Sequence, residues 1–381
     1  MRITNLWVLA AACAAVLMTG QLSMAQYGSD AGMFSQVSYN QQPMGDAPPM
    51  APMPGAGAGS FSCSDGMYGG GCGEDDCCGW SNRWNVFGEF LYLRPRDAET
   101  AYASIIDGPI VPGAPGLQAG RTAVLDYDYQ PGFRLGGGFT LDNCNQIQVS
   151  YSQLDATAND SITTIAPLVI RSLVTHPSSL NAAADSLDAN ATGQVRFQML
   201  DAAYRGLVAS CADYEVGYLV GVRYTRFEQA FAANYTNIDL ETVTSSVDFD
   251  GVGMRFGMDF ERYGRNRQWF VYGKSYASLI GGRFENAYLQ SNQADPVVAQ
   301  TTWEAGRVVT MLDLETGLGW QSCSGHLRLS VGYLYSGWFN TIRNNEWISA
   351  VQNNDFVANG MSTYDSGITF DGLTARVELL W

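Results

Sequence analysis

Three features of the sequence predict an all-β chain closed into a ten-stranded antiparallel barrel: long segments of alternating polarity, short and long connections in strict alternation, and arginines set between apolar neighbours. The segments are 84–94, 128–141, 146–155, 194–209, 214–228, 248–262, 268–283, 307–321, 326–339 and 368–381. Successive side chains of a strand point to opposite faces, so alternation gives each strand one apolar and one polar side. In the last segment Leu373, Ala375, Val377, Leu379 and Trp381 share one parity, and Gly372, Thr374, Arg376 and Glu378 the other. Each segment has the roughly 9–11 residues that a tilted strand needs to cross a hydrocarbon core. The predicted fold class is therefore a transmembrane barrel of the outer-membrane type, with Trp381 on the strand that pairs back to the first and removes both edges.

Taken in order, the chain opens with a secretory signal peptide over residues 1–25. Arg2 precedes an apolar run from Leu6 to Met18, and Ser23-Met24-Ala25 supplies a small-x-small exit. Residues 26–82 are rich in Gly, Pro, Met, Gln and Ser without apolar periodicity, which predicts a disordered periplasmic extension. The barrel occupies 83–381. No later window holds the eighteen or so apolar residues of a transmembrane helix. A barrel averages its two faces, and the mean hydropathy of −0.08 with Gly 42, Tyr 20, Phe 17 and Trp 9 fits that averaging. The formal charge of −16 becomes −17 without Arg2 and argues against a nucleic-acid partner.

Four connections are short (142–145, 210–213, 263–267 and 322–325), and the five between them are long, polar and rich in turn formers (95–127, 156–193, 229–247, 284–306 and 340–367). Outer-membrane barrels sort their loops by end in this way, with tight periplasmic turns and long external loops. An even strand count then leaves both termini periplasmic.

Arg134, Arg196, Arg223, Arg255, Arg328 and Arg376 each stand between apolar or small neighbours. A charge on the lipid face at mid-membrane costs roughly 2–4 kcal/mol, so each is expected to face the lumen. The same parity turns Glu89, Glu215, Asp259, Lys274, Asp313, Glu315 and Glu378 inward. Strand 194–209 is inconsistent, because Arg196 and Gln198 ask for even parity inward while Asp201 and Arg205 ask for odd; a β-bulge near Met199-Leu200 would reconcile them. A balanced set of charges can form a salt-bridged plug or can segregate across a watery constriction. Ten strands make a narrow tube.

Seven cysteines follow the signal peptide, so one at least has no partner within the chain. Cys63, Cys72, Cys77 and Cys78 lie in the extension, and Cys144, Cys211 and Cys323 in short turns. All are disulfide candidates. Neighbouring turns of a barrel sit two strands, roughly 10 Å, apart, so the turn cysteines are expected to pair with the extension or with other envelope proteins. Cys72-x4-Cys77-Cys78 offers a metal-like spacing, but without a nearby His or a second CxxC pair a redox-active or crosslinking role is expected there; the loop acids lack the spacing of a calcium site, and no metal or cofactor is expected. His176 lies in a long loop without a neighbouring acid and His326 opens a strand beside a turn, so no catalytic role is expected.

The phrases WNVFGEFLYLRP (84–95), PGFRLGGG (131–138), VGVRY (220–224), FDGVGMRFG (249–257) and FVYGKSYASLIGG (270–282), in this order, resemble the pore-forming outer-membrane family typified by the Legionella major outer membrane protein. The resemblance covers roughly 84–381 and omits the extension. It implies an outer-membrane barrel with porin-like passage of small polar solutes, and makes cysteine crosslinking in the envelope plausible. The alternative is a plugged structural or surface-interaction barrel. Expected partners are outer-membrane lipid, the barrel-assembly machinery and a homo-oligomeric copy.

Overall fold

The computed structural model describes residues 83–108, 116–142, 144–177, 186–210, 213–236, 240–264, 268–353 and 366–381. The signal segment, the whole extension with its four cysteines, and Cys211 lie outside the described residues.

Ten strands close into one antiparallel barrel. They are β1 (Trp84–Arg96), β4 (Gln130–Asp142), β5 (Asn145–Thr163), β7 (Asp188–Ser210), β8 (Tyr214–Thr236), β9 (Leu240–Tyr263), β10 (Trp269–Asn292), β11 (Ala299–Gln321), β12 (Leu327–Thr341) and β13 (Ser366–Leu380). All ten coincide with predicted segments, and most run further toward the end that carries the long connections, here the loop end. Closure is by β1 on β13, from Asn85↔Leu380 to Arg96↔Thr369. Trp84 and Trp381 exchange both backbone hydrogen bonds at 2.9 Å. Among the described residues, no helix is long and apolar enough to cross a membrane.

Two structures inside the long connections leave no periodic signal in the sequence. β2 (Thr100–Ile106), β3 (Gln118–Leu125) and β6 (Val169–Ser172) form a three-stranded sheet in the order β3-β2-β6, and α1 spans Asn344–Asn353. Both pack with the loop-end walls into one apolar core that includes Tyr102, Leu125, Ile170, Trp347, Ile348 and Val351.

The register fixes the height of each residue. Followed once round the barrel, Arg226 connects through Gln198, Gln153, Phe133, Phe90, Ala375, Val331, Leu318, Val271 and Arg262 back to β8 at Tyr214, a stagger of twelve residues (226 to 214). Over ten strands this corresponds to a tilt of about 40° at usual spacings. Corrected for that tilt, Arg94, Asp155, Arg196, Arg226, Asp250, Arg283 and Asp371 share one level to within about three residues. All seven point outward. They form a charged collar. Trp84, Trp269 and Trp381 stand about eleven residues lower, roughly 28 Å along the axis, close to the ~25 Å apolar band of such barrels. Between the two levels the outward face is apolar, with Val86, Phe90, Leu135, Val220, Val252, Met254, Val331 and Val377 all exposed. The hydrocarbon band therefore lies between tryptophan girdle and collar.

One expectation for the strands is corrected. β7 keeps odd residues inward from Ala189 to Arg205, and its pairing is continuous through Met199-Leu200, with its register shift at Leu207/Ala209 instead. Arg196 thus faces outward, at collar height rather than mid-membrane, where Asp155 at 3.0 Å and Glu228 at 3.3 Å neutralise it. The parity conflict in the sequence reflects a strand leaving the hydrocarbon, not a bulge.

Candidate functional site

The candidate site is the lumen, which two layers of side chains occupy. In the membrane-spanning half the layer is ionic. Arg223, only 1% exposed, bonds Asp201 at 2.6 Å and Asp313 at 2.8 Å. Arg255 meets the same Asp201 at 2.5 Å and approaches Asp313 at 3.8 Å. On the next sector Arg134 bonds Glu89 at 3.1 Å and lies 3.7 Å from Glu315, which also takes Lys274 at 2.9 Å. Nearer the turns Arg205 pairs with Asp259, Arg328 with Glu261 at 2.6 Å, and Arg376 with Glu378 at 3.3 Å. Several of these pairs cross the tube: β4, which carries Arg134, is four places from β11, which carries Glu315.

Aromatic rings hold the cations in place. Arg255 lies over Tyr276 at 4.5 Å, Lys274 over Tyr272 at 4.7 Å, Arg328 over Phe270 at 4.5 Å and Arg376 over Phe87 at 3.6 Å. Such stacking adds to the ionic attraction when the group is desolvated. Asn85 donates to Glu378 at 2.7 Å and Tyr263 to Glu261 at 2.7 Å, so the carboxylates are satisfied by more than their arginines.

Above the ionic layer the lumen turns apolar. Phe197, Phe227, Trp338 and Phe370 converge, with Phe197–Phe370 centroids 5.0 Å apart and Phe227–Trp338 5.3 Å apart. Phe227 on β8 and Phe370 on β13 occupy opposite places in the ring of strands, yet their centroids are 6.5 Å apart. The tube is filled across its full width. The layers are joined, since Trp338 Nε1 donates to Ser336 Oγ at 2.9 Å and Ser336 donates to Asp313 at 2.6 Å. The space left in the ionic layer is a cavity of about 90 Å³ bounded by Arg134, Arg255, Lys274 and Tyr276. That is room for a few waters.

Of the residues read from the sequence as lumen-lining, Glu89, Arg134, Asp201, Arg205, Glu215, Arg223, Arg255, Asp259, Lys274, Asp313, Glu315, Arg328, Arg376 and Glu378 face inward, and Arg196 does not. Glu261, Tyr272 and Tyr276 belong to the layer and escaped the sequence reading. Glu261 was legible, two residues beyond Asp259 on the same parity of the same strand. The tyrosines carry no charge to betray which face they take. His176 sits at the loop end, where its N–H donates to Gln290 at 2.7 Å, and His326 Nδ1 lies 2.8 Å from the Leu380 carbonyl oxygen at the turn end. Among the described residues no group of His, Cys, Asp and Glu is placed to hold a metal. Cys144 and Cys323 lie at the turn end, and Gln268 donates to the Cys323 sulfur at 2.8 Å.

A closed, girdled, apolar-walled tube with charges inside defines the class: an outer-membrane β-barrel. Within it, the chain belongs to the family described as Legionella pneumophila major outer membrane protein precursor, whose model matches residues 78–366. No curated protein matches the chain. Among solved structures it is similar to the outer membrane protease OmpT from Escherichia coli, at 10% identity over 78% of this chain and 97% of that one, with a TM-score of 0.44. It is similar also to the P. putida toluene transporter TodX, at 7% identity over 80% and 91% of the two chains and a TM-score of 0.26. A Pseudomonas aeruginosa FadL homologue follows at 10% identity, 78% and 90% coverage and a TM-score of 0.17.

Proposed function

We propose that this protein is a plugged outer-membrane barrel whose lumen is shut at rest and whose loop end, built on the internal sheet and α1, is its working surface. The observation that carries this reading is the contact between Phe227 and Phe370 across the barrel's full width, with the Arg223 ion-pair cluster beneath it. A solute passing through would have to displace both layers. The loop end faces outward and both termini are periplasmic, so crosslinks to other envelope proteins would form at the turn end. Assembly through the barrel-assembly machinery and association with a second copy belong to the same reading, which assigns no catalytic residue.

One observation favours a second reading. The membrane-spanning half is lined by charges rather than by the apolar side chains that would plug it with less desolvation cost, and a polar lumen is what a narrow diffusion channel for small polar solutes or ions needs. In that reading the ionic layer is the constriction and the aromatic layer a gate. Swelling of liposomes in small neutral sugars tests the pair: vesicles holding the purified wild-type barrel should swell no faster than empty ones, and swelling graded by sugar size would replace the plugged reading by the channel.

A further inference from the structure

The outward collar is uneven. On β9, β10 and β11 it carries Asp248, Asp250, Glu285 and Glu304 against Arg283, a sector that repels anions. At the closing seam the balance differs. Arg94 and Arg96 both point outward from β1, with side chains 26% and 47% exposed. Arg94 is matched by Asp126 at 2.8 Å. Asp371, the partner of Arg96, lies beneath it on the outward face, only 4% exposed and shared with Tyr333, so the carboxylate is covered while the Arg96 side chain stays 47% exposed. Directly below, Phe90 stacks on Tyr92 with centroids 6.4 Å apart and Tyr92 on Tyr129 at 5.5 Å, a ladder that rises through the top of the apolar band to the two arginines. Exposed Leu373 and Tyr335 flank it from β13 and β12.

We propose that this seam binds one phosphate-bearing glycolipid of the outer leaflet. Its phosphate lies on Arg94 and Arg96, its sugar ring rests against the tyrosines, and an acyl chain runs down Phe90 and Leu373. Each element answers one part of such a lipid. Guanidinium groups take phosphate in charge-assisted, bidentate fashion. Tyrosine serves the boundary between polar headgroup and hydrocarbon. The height agrees independently, because Arg94 stands at the level where the exposed apolar face ends. Occupancy would tie β1 to β4, β12 and β13 and so reinforce the strand pair that closes the barrel.

The inference rests on the loop end facing outward, which surface detection of an epitope tag decides separately. The experiment is binding of bisphosphorylated lipid A to the full-length barrel in phosphatidylcholine nanodiscs, read as lipid A retained per barrel by mass spectrometry. The wild type is compared with Arg94→Gln/Arg96→Gln, the charge-preserving Arg94→Lys/Arg96→Lys, and a collar control, Arg226→Gln/Arg283→Gln. Loss of two charge-assisted contacts should lower retention about tenfold or more in the Gln pair. The Lys pair should keep most of it and the collar control all of it, and dephosphorylated lipid A should be retained as poorly by the wild type as lipid A is by the Gln pair. Equal retention by the Gln pair, an equal loss in the collar control, equal retention of dephosphorylated lipid A, or equal retention of phosphatidylglycerol would each overturn the proposal. Heat-modifiable migration of every variant confirms that the barrel has closed before its binding is scored.

Discussion

Arg223→Met tests how dry the ionic layer is. In the folded protein Arg223 neutralises Asp201 and Asp313 at once and is itself 1% exposed. Its removal leaves both carboxylates to Arg255, which already bonds Asp201 at 2.5 Å but stands 3.8 Å from Asp313. Breaking a buried pair by removing one partner costs about 3–5 kcal/mol, because the other charge remains desolvated. Asp313 keeps its hydrogen bond from Ser336, which favours the lower half of that range. The double variant Arg223→Met/Asp313→Asn removes one charge of each sign and should recover most of the loss. Arg283→Met is the comparison, since Arg283 and Glu304 are 60% and 54% exposed and such surface pairs contribute about 0–1 kcal/mol. Urea unfolding in lipid vesicles, followed by tryptophan fluorescence, measures all three. An Arg223→Met barrel within about 1 kcal/mol of wild type, and no weaker than Arg283→Met, would refute the reasoning: the carboxylates would then be solvated and the lumen wet.

Three further outcomes are expected from the same structure. Glu241, at the loop end of β9 and 6% exposed, has its carboxyl pushed up by burial, with the Gln290 hydrogen bond acting the other way. A raised folded value means that the folded state binds the proton more tightly, so the loop end is most stable below the unfolded carboxylate range and loses stability as pH rises through the folded value; Glu241→Gln should flatten that dependence in hydrogen exchange of 240–247 and 286–292. Gly253→Ala should lower stability by about 1–3 kcal/mol or prevent closure, because its Cβ would meet the Leu279 carbonyl oxygen on the neighbouring strand, and recovery of the heat-modifiable form reports it. An epitope beside Val297, which is 55% exposed at the loop end, should be detected on intact cells, whereas one in the 322–325 turn should require permeabilised cells.

The barrel was legible because its two signals are local. Alternating parity and the sorting of connection lengths both survive without knowledge of partners, and they place all ten strands. The inner sheet and α1 were not legible for the opposite reason. β2 reads Thr-Ala-Tyr-Ala-Ser-Ile-Ile and is buried on both faces for most of its length, so period two carries little contrast, and β6 is four residues long. Their order comes from docking on the loop-end walls, where Tyr235 donates to the Tyr102 carbonyl at 2.6 Å and Gln352 to that of Leu173 at 2.8 Å. Arg196 was misplaced because parity alone does not report height. Above the hydrocarbon an outward arginine costs nothing, and Asp155 and Glu228 across the neighbouring strands were the sign that the strand had already left the membrane. Whether the lumen was open or filled was likewise beyond the sequence, since the same charges serve either state until their reach across the tube is known.

Single-channel recording of the wild-type barrel in a planar bilayer tests the central claim most directly. The filled lumen predicts a silent baseline under voltage, with steps appearing only when both layers are opened together, as in Arg223→Ala/Arg255→Ala combined with Phe227→Ala/Trp338→Ala. Discrete conductance steps from the unmodified protein, with an ion preference that shifts in Arg134→Ala, would contradict it and establish a standing pore lined by the ionic layer.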